Sequence, residues 1–509
     1  MENIIKSVQG KLIFYILLLI THVGIVWWLP YFPTQDGPSH IYNLVILNDL
    51  LNGGKEWGNF FSHQLRAVPN LGFNLLAYPL LYFFPPLVVE RIFISMYIVL
   101  MGVSVPFFLR TFDKPYFPLA YFVFPVIFNF NLLTGFYSYV MAVTLFLLAF
   151  SLAWKIRSSS IAYKIVFFNL IGLTIFYFHL IPFFFFMLSL IATTIAVSTG
   201  YKKKINDILK LLIIITPSIL NLFFYLLRRM KSSTLDFSYL PSSNGPIQLL
   251  SKLFVFSTVN FSPWQILPAS LFMFLFVLFG YMSIKDFFQR GLQAGNISPS
   301  EKVLICLSSF LILIYLSAPF RFGDGCYFNE RFPWVILLIT LPLLRIPETI
   351  FFKRFGTVVI AGIVSVFFAF NAIILWQQST KVEKFLSGLH VGLHKGAYVM
   401  TYKTKRSEWS RVDVLMHAAS YYGIFRGCVD IGNYEAGSDF FPISFNKNLP
   451  AMPSQDQIAY EPTTINWSNY PYIQYLLGWE INNKDRIELS KFFHIIWEED
   501  QFSIWQRGV

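Results

Sequence analysis

Charged side chains are scarce in this chain of 509 residues, where aspartate, glutamate, lysine and arginine make up 13% and hydrophobic residues 55%. A water-soluble protein carries about 25% charged residues, so the composition excludes a soluble globular protein and indicates a membrane protein. Apolar runs of roughly 18 to 22 residues recur between Lys11 and Trp376, and each can cross a bilayer as a helix. The first run ends in Trp27 and Trp28 without a small-residue cleavage site, so we expect a retained anchor rather than a signal peptide.

Acidic residues are fewer than basic ones, 27 against 39, which gives a formal net charge of +12. The basic residues stand in short clusters between the apolar runs, such as Lys202 to Lys204, and do not form one extended stripe. Such clusters are typical of cytoplasmic loops that face anionic lipid. We therefore expect membrane lipids, and not nucleic acid, as partners of this charge.

Cysteine is also rare, with three in the chain. None of the three stands at the spacing of a metal-ligand motif, which argues against a cysteine-based metal site. Cys306 falls within an apolar run, whereas Cys326 and Cys428 fall in polar segments. A disulfide between these two is one alternative, and two free thiols are the other.

Hydropathy and the positive-inside rule together predict about 11 membrane spans, with the N-terminus in the cytoplasm. The predicted spans are 12–30, 91–110, 115–130, 133–154, 164–179, 180–198, 208–227, 264–284, 302–320, 332–346 and 357–376. Pro79, Pro85 and Pro86 interrupt the segment 71–89, so we expect it to be re-entrant or to lie against the bundle.

This path places the polar segments on one external side of the membrane, namely 31–70, 128–135, His179, 228–263, 319–331 and the C-terminal segment. Arg228, Arg229 and Lys231 then lie outside, against the charge rule. Either the path is wrong at this cluster, or the protein needs positive charge there.

The chain changes character at about Gln377, where charge rises and the apolar runs become shorter. The patterns predict strands at 396–402, 470–481 and 502–507 and helices at 411–425 and 484–499. The roughly 130 residues of this segment suffice for a core of their own. We therefore predict a transmembrane domain at 1–376, with an external loop at 31–70, and an external α/β domain at 377–509.

The stretch Leu29–Leu47, LPYFPTQDGPSHIYNLVIL, follows the first apolar run. Asp36 before Gly37-Pro38 fits a helix N-cap, since aspartate caps helices well and proline suits the first turn. The apolar residues that follow fall near one helical face, which is typical of an amphipathic helix at the membrane surface. A second interpretation is that Asp36 is a catalytic acid, with His40 one turn later on the same side.

Five short motifs are spread over nearly the whole chain: PTQDGPSHIYN, LTGFYSYVMAV, FYFHLIPFF, NERFPW and FSIWQR. An acid also follows the first span directly, and a many-span bundle precedes an external domain. In these features the chain resembles the GT-C superfamily of integral membrane glycosyltransferases, and in particular its uncharacterised bacterial members.

The resemblance implies a GT-C-like fold and a sugar donor linked to polyprenyl phosphate, with a glycan, lipid or protein of the cell envelope as acceptor. It implies a bacterial inner-membrane protein whose active face and C-terminal domain are periplasmic. The first-loop acid is the catalytic residue of that superfamily, and Asp36 matches its position, with His40 as companion. Many members have two adjacent acids there, whereas this chain has Gln35-Asp36. No cofactor is firmly implied, and a divalent cation at Asp36, His40 and His179 is an alternative.

Glycosyl transfer needs a base for the acceptor's proton and cations where negative charge builds on the leaving phosphate. We expect an inverting transfer with Asp36 as the base. Arginine offers phosphate a planar fork of donors. The candidates for phosphate contact are Arg228, Arg229, Lys231, Arg321 and Arg331, and the further candidates for substrate contact are His179 and Asn131.

Each candidate also has a structural alternative. The cluster at 228–231 fits a misassigned cytoplasmic loop, and Arg331 fits a salt-bridge set with Arg321, Asp324 and Glu330. His179 fits a packed residue at a span end, and Asn131 fits a turn.

Other function classes stay open at the level of sequence. A transporter of lipid-linked glycans usually has internal repeats and ionisable residues within broken spans, whereas these spans are nearly free of charge and no repeat is found. A glycan ligase or polymerase uses the same donors, and a non-catalytic scaffold keeps the same fold. Polar residues gathered at one face favour an enzyme at the membrane surface.

Overall fold

The structure is a computed structural model that describes residues 2–64, 68–112, 116–230, 237–238, 258–290, 297–322, 325–404, 409–438 and 441–508. Its helices are α1 Glu2–Trp28, α2 Gly37–Leu51, α3 Gly72–Ala77, α4 Pro86–Thr111, α5 Tyr116–Ala120, α6 Phe124–Ile127, α7 Phe130–Thr134, α8 Tyr137–Lys155, α9 Ile161–Phe178, α10 Leu180–Val197, α11 Tyr201–Ile214, α12 Thr216–Met230, α13 Ile266–Gln289, α14 Pro299–Ser317, α15 Pro333–Thr340, α16 Ile350–Phe385, α17 Ala419–Arg426, α18 Gln455–Tyr460 and α19 Asn483–Leu489. Its strands are β1 Phe61–His63, β2 Phe237–Ser238, β3 Arg321–Phe322, β4 Tyr398–Lys403, β5 Val429–Asp430, β6 Ile443–Phe445, β7 Ile473–Trp479, β8 Phe493–Glu499 and β9 Phe502–Arg507.

Eight helices in the described part of the chain are long and apolar enough to cross a membrane. The count is nine if Tyr201–Ile214 and Thr216–Arg228, which are bent by 66° at their junction, form one broken span. The chain is therefore a multi-pass membrane protein. The predicted fold class, a polytopic helical protein with a C-terminal α/β region, is confirmed.

The difference from the predicted 11 spans has a common cause in proline. The segment 115–130 is divided into short helices with Pro118 and Pro125 in them, and the helix in 332–346 ends at Thr340 before Pro342. Proline lacks an N–H and clashes with the preceding turn, so these apolar runs do not form long helices. The segment 71–89 also forms no long helix, and α3 ends at Ala77 before Pro79.

The chain forms two compact units. The first unit comprises Met1–Gly24, Ser95–Asn131 and Ser138–Asn371, and the second comprises Ile25–Ile94, Leu132–Tyr137 and Ala372–Val509. The segment after the first span and the turn around Gly135 thus belong to the same unit as the C-terminal segment.

A five-stranded sheet in the order β5-β4-β7-β9-β8 organises the C-terminal part of the second unit. Strand β4 is parallel to β5 and β7, and β9 is antiparallel to β7 and β8. The three strands predicted from sequence, now β4, β7 and β9, are confirmed. The helix predicted at 484–499 is wrong in its second half, where Phe493–Glu499 forms the edge strand β8. Its aromatic and β-branched residues favour a strand once β9 offers a partner.

The helix predicted at 411–425 is shorter than expected and begins at Ala419. The carboxylate of Asp413 accepts the N–H of Leu415 at 3.2 Å and pairs with Lys403 at 2.8 Å. An aspartate that bonds its own local backbone competes with helix formation. The residues before Ala419 are therefore held in turns.

Helix α2 packs inside the second unit. An added Cβ at Gly423 of α17 would lie 2.3 Å from the Tyr42 ring, and the Tyr42 hydroxyl donates to the carbonyl of Cys428 at 2.9 Å. The surrounding core consists of Tyr42, Ile46, Leu47, Trp57, Phe61, Val429, Ala436 and Ile443. The interpretation of α2 as a helix on the membrane surface is therefore wrong, because its apolar face is covered by its own unit.

Candidate functional site

Asp36 occupies the N-cap position of α2, but its side chain makes no capping hydrogen bond. The backbone of Asp36 is helical, with φ −99° and ψ −11°, and Pro38 lies in the first turn as predicted. The residue is only 5% exposed. Its buried carboxylate therefore has a role other than capping the helix. The capping interpretation of Asp36 is excluded by this geometry.

The main chain around Asp36 is fixed by the turn that precedes α8. The N–H groups of Gln35 and Asp36 donate to the carbonyls of Leu133 and Thr134, each at 3.0 Å. Gly135 has φ +99°, and a Cβ there would lie 2.8 Å from the Cβ of Asp36. Only glycine combines this φ with so close an approach. The motif LTGFYSYVMAV therefore includes residues that fix the main chain at Asp36, namely Thr134 and Gly135.

Three side chains surround the Asp36 carboxylate. Gln35 Nε2 donates to Oδ1 at 3.2 Å, and the Tyr434 hydroxyl donates to Oδ2 at 3.3 Å. His417 Nε2 lies 3.6 Å from Oδ1. Burial raises the pKa of Asp36 above its ordinary value, against the opposing effect of His417 and His40. A carboxylate of raised pKa is a stronger base, which suits proton abstraction.

Gln35, which directly precedes Asp36, links Asp36 to an ion pair. Its Oε1 accepts the N–H of Asp413 at 3.2 Å while its Nε2 serves Asp36. The ammonium of Lys403 lies 2.8 Å from both oxygens of Asp413. Although burial alone would raise it, the pKa of Asp413 is held below its ordinary value by Lys403. The amide is therefore held in one orientation, with its donor directed at Asp36.

His40 lies between two acceptors. Its Nε2 is 2.8 Å from the carbonyl of Gly135, and its Nδ1 is 2.8 Å from Oε1 of Glu435. Both ring nitrogens can donate only in the protonated ring, because a neutral imidazole has one N–H. Burial alone would lower the pKa of His40, but the Glu435 carboxylate and then Asp36 raise it to about 9. His40 is therefore a buried cation at neutral pH.

A further buried acid, Glu90, lies beneath the first turn of α2. It accepts a short hydrogen bond from the Tyr137 hydroxyl, which also contacts Thr34 Oγ1 at 3.1 Å. A Cβ added to Gly37 would lie 2.1 Å from Thr34 Oγ1 and 2.5 Å from Glu90 Oε1. Position 37 therefore has no room for a side chain, because Thr34 and Glu90 lie too close to its backbone.

A pair of asparagines connects α2 to the segment that carries Tyr434 and Glu435. Asn43 Nδ2 donates to Asn433 Oδ1 at 2.9 Å, and Asn433 Nδ2 donates to Asn43 Oδ1 at 2.7 Å. Both residues are buried, at 3% and 0% exposure. Because two amides bonded in both directions allow one register, the pair fixes Tyr434 and Glu435 opposite Asp36 and His40.

The first unit contains a second polar cluster, built around Arg331. Its Nη1 lies 2.8 Å from His179 Nε2, and its guanidinium lies 5.6 Å from the centre of the Tyr139 ring. The Tyr139 hydroxyl donates a short hydrogen bond to the carbonyl of Arg331. Asn131 Nδ2 donates to the neighbouring carbonyl of Glu330 at 3.2 Å. Three of the predicted substrate-binding residues, His179, Arg331 and Asn131, are thus brought together.

His179 is held in the neutral state. Its Nδ1 accepts the N–H of Ile181 at 3.1 Å, and its Nε2 faces the Arg331 guanidinium. Burial, and then the charge of Arg331, lower the pKa of His179 well below its ordinary value. The ring is therefore packed and hydrogen-bonded at a span end, where it contacts the guanidinium.

The remaining predicted phosphate contacts are more scattered or lie outside the described residues. Arg228 is exposed near the end of α12, and Arg229 follows it in the same helix. Arg321 is half-buried in β3, which pairs with β2. Lys231 and Asp324 lie outside the described residues.

Metal ligation finds no support in the described part of the chain, which contains no group of three or more histidine, cysteine, aspartate or glutamate side chains able to hold an ion. Both ring nitrogens of His40 and of His179 have partners, so neither ring offers a lone pair to a cation. All three cysteines are free, and the disulfide between Cys326 and Cys428 is not formed.

Four residues of the Asp36 site escape the sequence analysis, namely Glu90, His417, Tyr434 and Glu435. Glu90 directly precedes the predicted span 91–110, and an ionisable residue at the start of an apolar run is a signal that could have identified it. The sequence around Tyr434 and Glu435 contains no motif that marks them as site residues. They reach the site only in the folded chain, through the pairing of Asn43 with Asn433.

Comparisons with known proteins show a likeness to a solved structure. No family model matches the chain, and none of the curated proteins matches it. Among solved structures the chain is similar to ArnT from Cupriavidus metallidurans bound to undecaprenyl phosphate, with 9% sequence identity and a TM-score of 0.48. The alignment covers 96% of this chain and 97% of that chain.

Proposed function

We propose that the protein is a membrane glycosyltransferase that moves a sugar from a polyprenyl-phosphate donor to a hydroxyl of a cell-envelope glycan, lipid or protein, with Asp36 as the general base. The main support for this proposal is the environment of the Asp36 carboxylate. Its carboxylate is buried, leaves the helix end uncapped, receives donors on both oxygens and has a raised pKa. A group in this state is poised for proton transfer.

The proposed reaction is a displacement at the anomeric carbon of the donor sugar, with Asp36 as the base. Asp36 accepts the proton of the acceptor hydroxyl while that oxygen attacks the anomeric carbon from the side opposite the phosphate, so the transfer inverts configuration. The bond from the anomeric carbon to the phosphate breaks, and the electron pair leaves with the lipid phosphate. His40 is proposed here as a positioning residue, since both of its ring nitrogens are bonded and it holds the turn at Gly135.

The phosphate is proposed to bind to arginine. Arg331 is the strongest candidate, because His179 and the Tyr139 ring hold its guanidinium in position. Arg228, Arg229, Lys231 and Arg321 remain proposed contacts on grounds of charge, and Asn131 and His179 remain proposed substrate contacts. No cofactor is needed for this step, since base and cations are both supplied by side chains.

Donor turnover by purified protein in nanodiscs tests this proposal, with a panel of radiolabelled polyprenyl-phosphate sugars. We expect Asp36→Asn to remain folded and to transfer more slowly by a factor of about 10² to 10⁴, the usual contribution of a general base. Asp49→Asn is the matched control, because Asp49 lies on the same helix and binds the N–H groups of Glu56 and Trp57. Full transfer by Asp36→Asn, or none by the wild type with any donor, would refute the proposal.

The orientation in the membrane is part of the proposal, with the Asp36 site and the C-terminal segment in the periplasm. The charge clusters support it, because Lys202 to Lys204 should face the cytoplasm. This orientation requires the divided apolar runs at 115–130 and 332–346 to cross the membrane as well. Cysteine at the exposed Gly437 should react with a membrane-impermeant thiol reagent added to intact spheroplasts, and cysteine at the exposed Lys203 only after lysis. Both are introduced into a variant in which the three native cysteines are alanine. Labelling of position 437 only after lysis would contradict the orientation.

A further inference from the structure

His417 is the one imidazole at the Asp36 site with a ring nitrogen that lacks a hydrogen-bond partner among the described residues. Its Nδ1 is buried without a partner, whereas its Nε2 lies 3.6 Å from Asp36 Oδ1. The residue is 7% exposed. A buried polar atom without a partner is costly to the folded state, by about 1 to 3 kcal/mol. Such an atom therefore calls for a ligand or a function.

The ring is held in position by its backbone and by contact with an aromatic ring tilted by 40° to it. The carbonyl of His417 accepts the N–H of Ser420 at 3.1 Å, at the turn that leads into α17. The ring faces the Tyr434 ring with centroids 4.9 Å apart. The charged and titratable groups that act on it are Asp36 and Asp430, together with the Tyr434 hydroxyl that serves the other oxygen of Asp36.

The contact with Asp36 selects the tautomer. A neutral imidazole with its proton on Nε2 donates toward the Asp36 carboxylate, and its lone pair is then on Nδ1. At 3.6 Å the contact is long for a hydrogen bond, and catalytic hydrogen bonds commonly shorten when substrate binds. A carboxylate that orients an imidazole and stabilises its protonated form makes the opposite ring nitrogen a base.

We propose that Asp36 and His417 act as a dyad in which His417 Nδ1 is the atom that first accepts the acceptor's proton. This inference rests on the proposed function and refines it, because Asp36 then acts through the imidazole, which it orients and whose positive charge it balances. The acceptor oxygen forms its bond to the anomeric carbon as its proton moves to Nδ1. The bond between that carbon and the phosphate oxygen breaks, and the electron pair leaves with the phosphate. The imidazolium, balanced by the Asp36 carboxylate, releases its proton to the leaving phosphate or to water.

Imidazole rescue tests the dyad in nanodiscs, with the same panel of radiolabelled polyprenyl-phosphate sugars. We expect His417→Ala to lower kcat by a factor of about 10² to 10⁴ while leaving the donor KM unchanged. Added imidazole should restore part of the rate to this variant. His417→Gln should fold normally and stay inactive, since its amide can donate to Asp36 but cannot take up a proton.

His394→Ala is the matched control, because His394 is exposed in the same unit and away from the proposed proton path. Imidazole should have no effect on this control or on Asp36→Asn. Wild-type transfer that persists at full rate in folded His417→Ala would overturn the dyad and leave the proposed function standing. An inactive His417→Ala without any imidazole rescue would also overturn it, since a structural role gives that result. A wild type that turns over no donor overturns the proposed function, and the dyad with it.

Discussion

His40 and His179 are both buried histidines beside a helix end, yet their surroundings give them opposite charge states. His40 in the second unit faces two acceptors, the Gly135 carbonyl and the Glu435 carboxylate, and its pKa rises to about 9. His179 in the first unit faces two donors, the Ile181 N–H and the Arg331 guanidinium, and its pKa falls. Burial lowers the pKa of both, so the polar neighbours decide between cation and neutral ring.

The comparison shows how the two units differ in chemistry. The second unit surrounds its acid with a cation, donors and a second imidazole, which is an arrangement for handling a proton. The first unit places a neutral imidazole against an arginine guanidinium, and the planar fork of that guanidinium is suited to contact with an anion. Each arrangement can be broken separately by substitution.

The largest effect is expected from the two glycines that support the His40 surroundings. Gly37→Ala would place a methyl group 2.1 Å from Thr34 Oγ1, and Gly135→Ala would force a side chain onto φ +99° and against Asp36. Each should destabilise the protein by about 3 kcal/mol or more, Gly37→Ala from overpacking and Gly135→Ala from overpacking together with backbone strain at positive φ. Thermal unfolding in detergent measures this.

Gly53→Ala separates the two causes, because Gly53 has φ +110° and no atom within 4 Å of its added Cβ. It should lose only the backbone part, about 1 to 2 kcal/mol. Equal losses at Gly53 and Gly135, which both have positive φ, would show that close packing against Asp36 contributes nothing.

A similarly large effect is expected at His40 and depends on pH. A pKa raised from 6.5 to about 9 stabilises the folded state by about 3 kcal/mol at low pH. This contribution is fully present below pH 6.5, declines as pH rises and is lost above about pH 9. We expect the melting temperature of the wild type to fall over this window relative to His40→Gln. Parallel pH curves for the two proteins would contradict the charge state assigned to His40.

An intermediate effect is expected at Arg331. Arg331→Ala should weaken donor turnover about 10-fold to 100-fold, the range for a lost hydrogen bond to a charged group, since each 1.4 kcal/mol is tenfold. Arg331→Lys should recover part of the loss, because it keeps the charge but not the planar fork. Arg157→Ala serves as the control, because Arg157 is exposed in the first unit and is not among the proposed phosphate contacts. If Arg331→Ala transfers at the wild-type rate, the phosphate is bound elsewhere.

The smallest effect is expected at Tyr434. Tyr434→Phe removes the hydroxyl that donates to Asp36 Oδ2 at 3.3 Å and keeps the ring that packs against His417. The loss of one such bond should lower kcat by about fivefold, equivalent to roughly 1 kcal/mol. Rate measurements at saturating donor test this. A loss as large as that of Asp36→Asn would mean that Tyr434 takes part in proton transfer itself.

Much of the fold could be predicted from the sequence, because long apolar runs and alternating strands are local patterns. The first span and the strands around Met400, Leu476 and Ile504 are examples. The failures occur where two tendencies compete. Prolines divide the apolar runs at 115–130 and 332–346, and the segment Phe493–Glu499 changes from helix to strand because β9 is available to pair with it.

The site was only partly predictable for a related reason. Asp36, His40, His179 and Arg331 stand in compact motifs, so their residue types and spacing attract notice. His417 and Glu435 stand in segments without such a motif, and they reach Asp36 and His40 through folding alone.

The sequence by itself determined that the protein crosses the membrane many times, that an acid follows its first span, and that an α/β segment ends the chain. These features depend on composition and local periodicity, which do not require knowledge of distant contacts. Only the tertiary structure decided that Asp36 leaves its helix uncapped and that His40 is a cation while His179 is neutral. Those states depend on which donors and acceptors lie within about 3 Å, and neighbours from distant parts of the chain supply several of them.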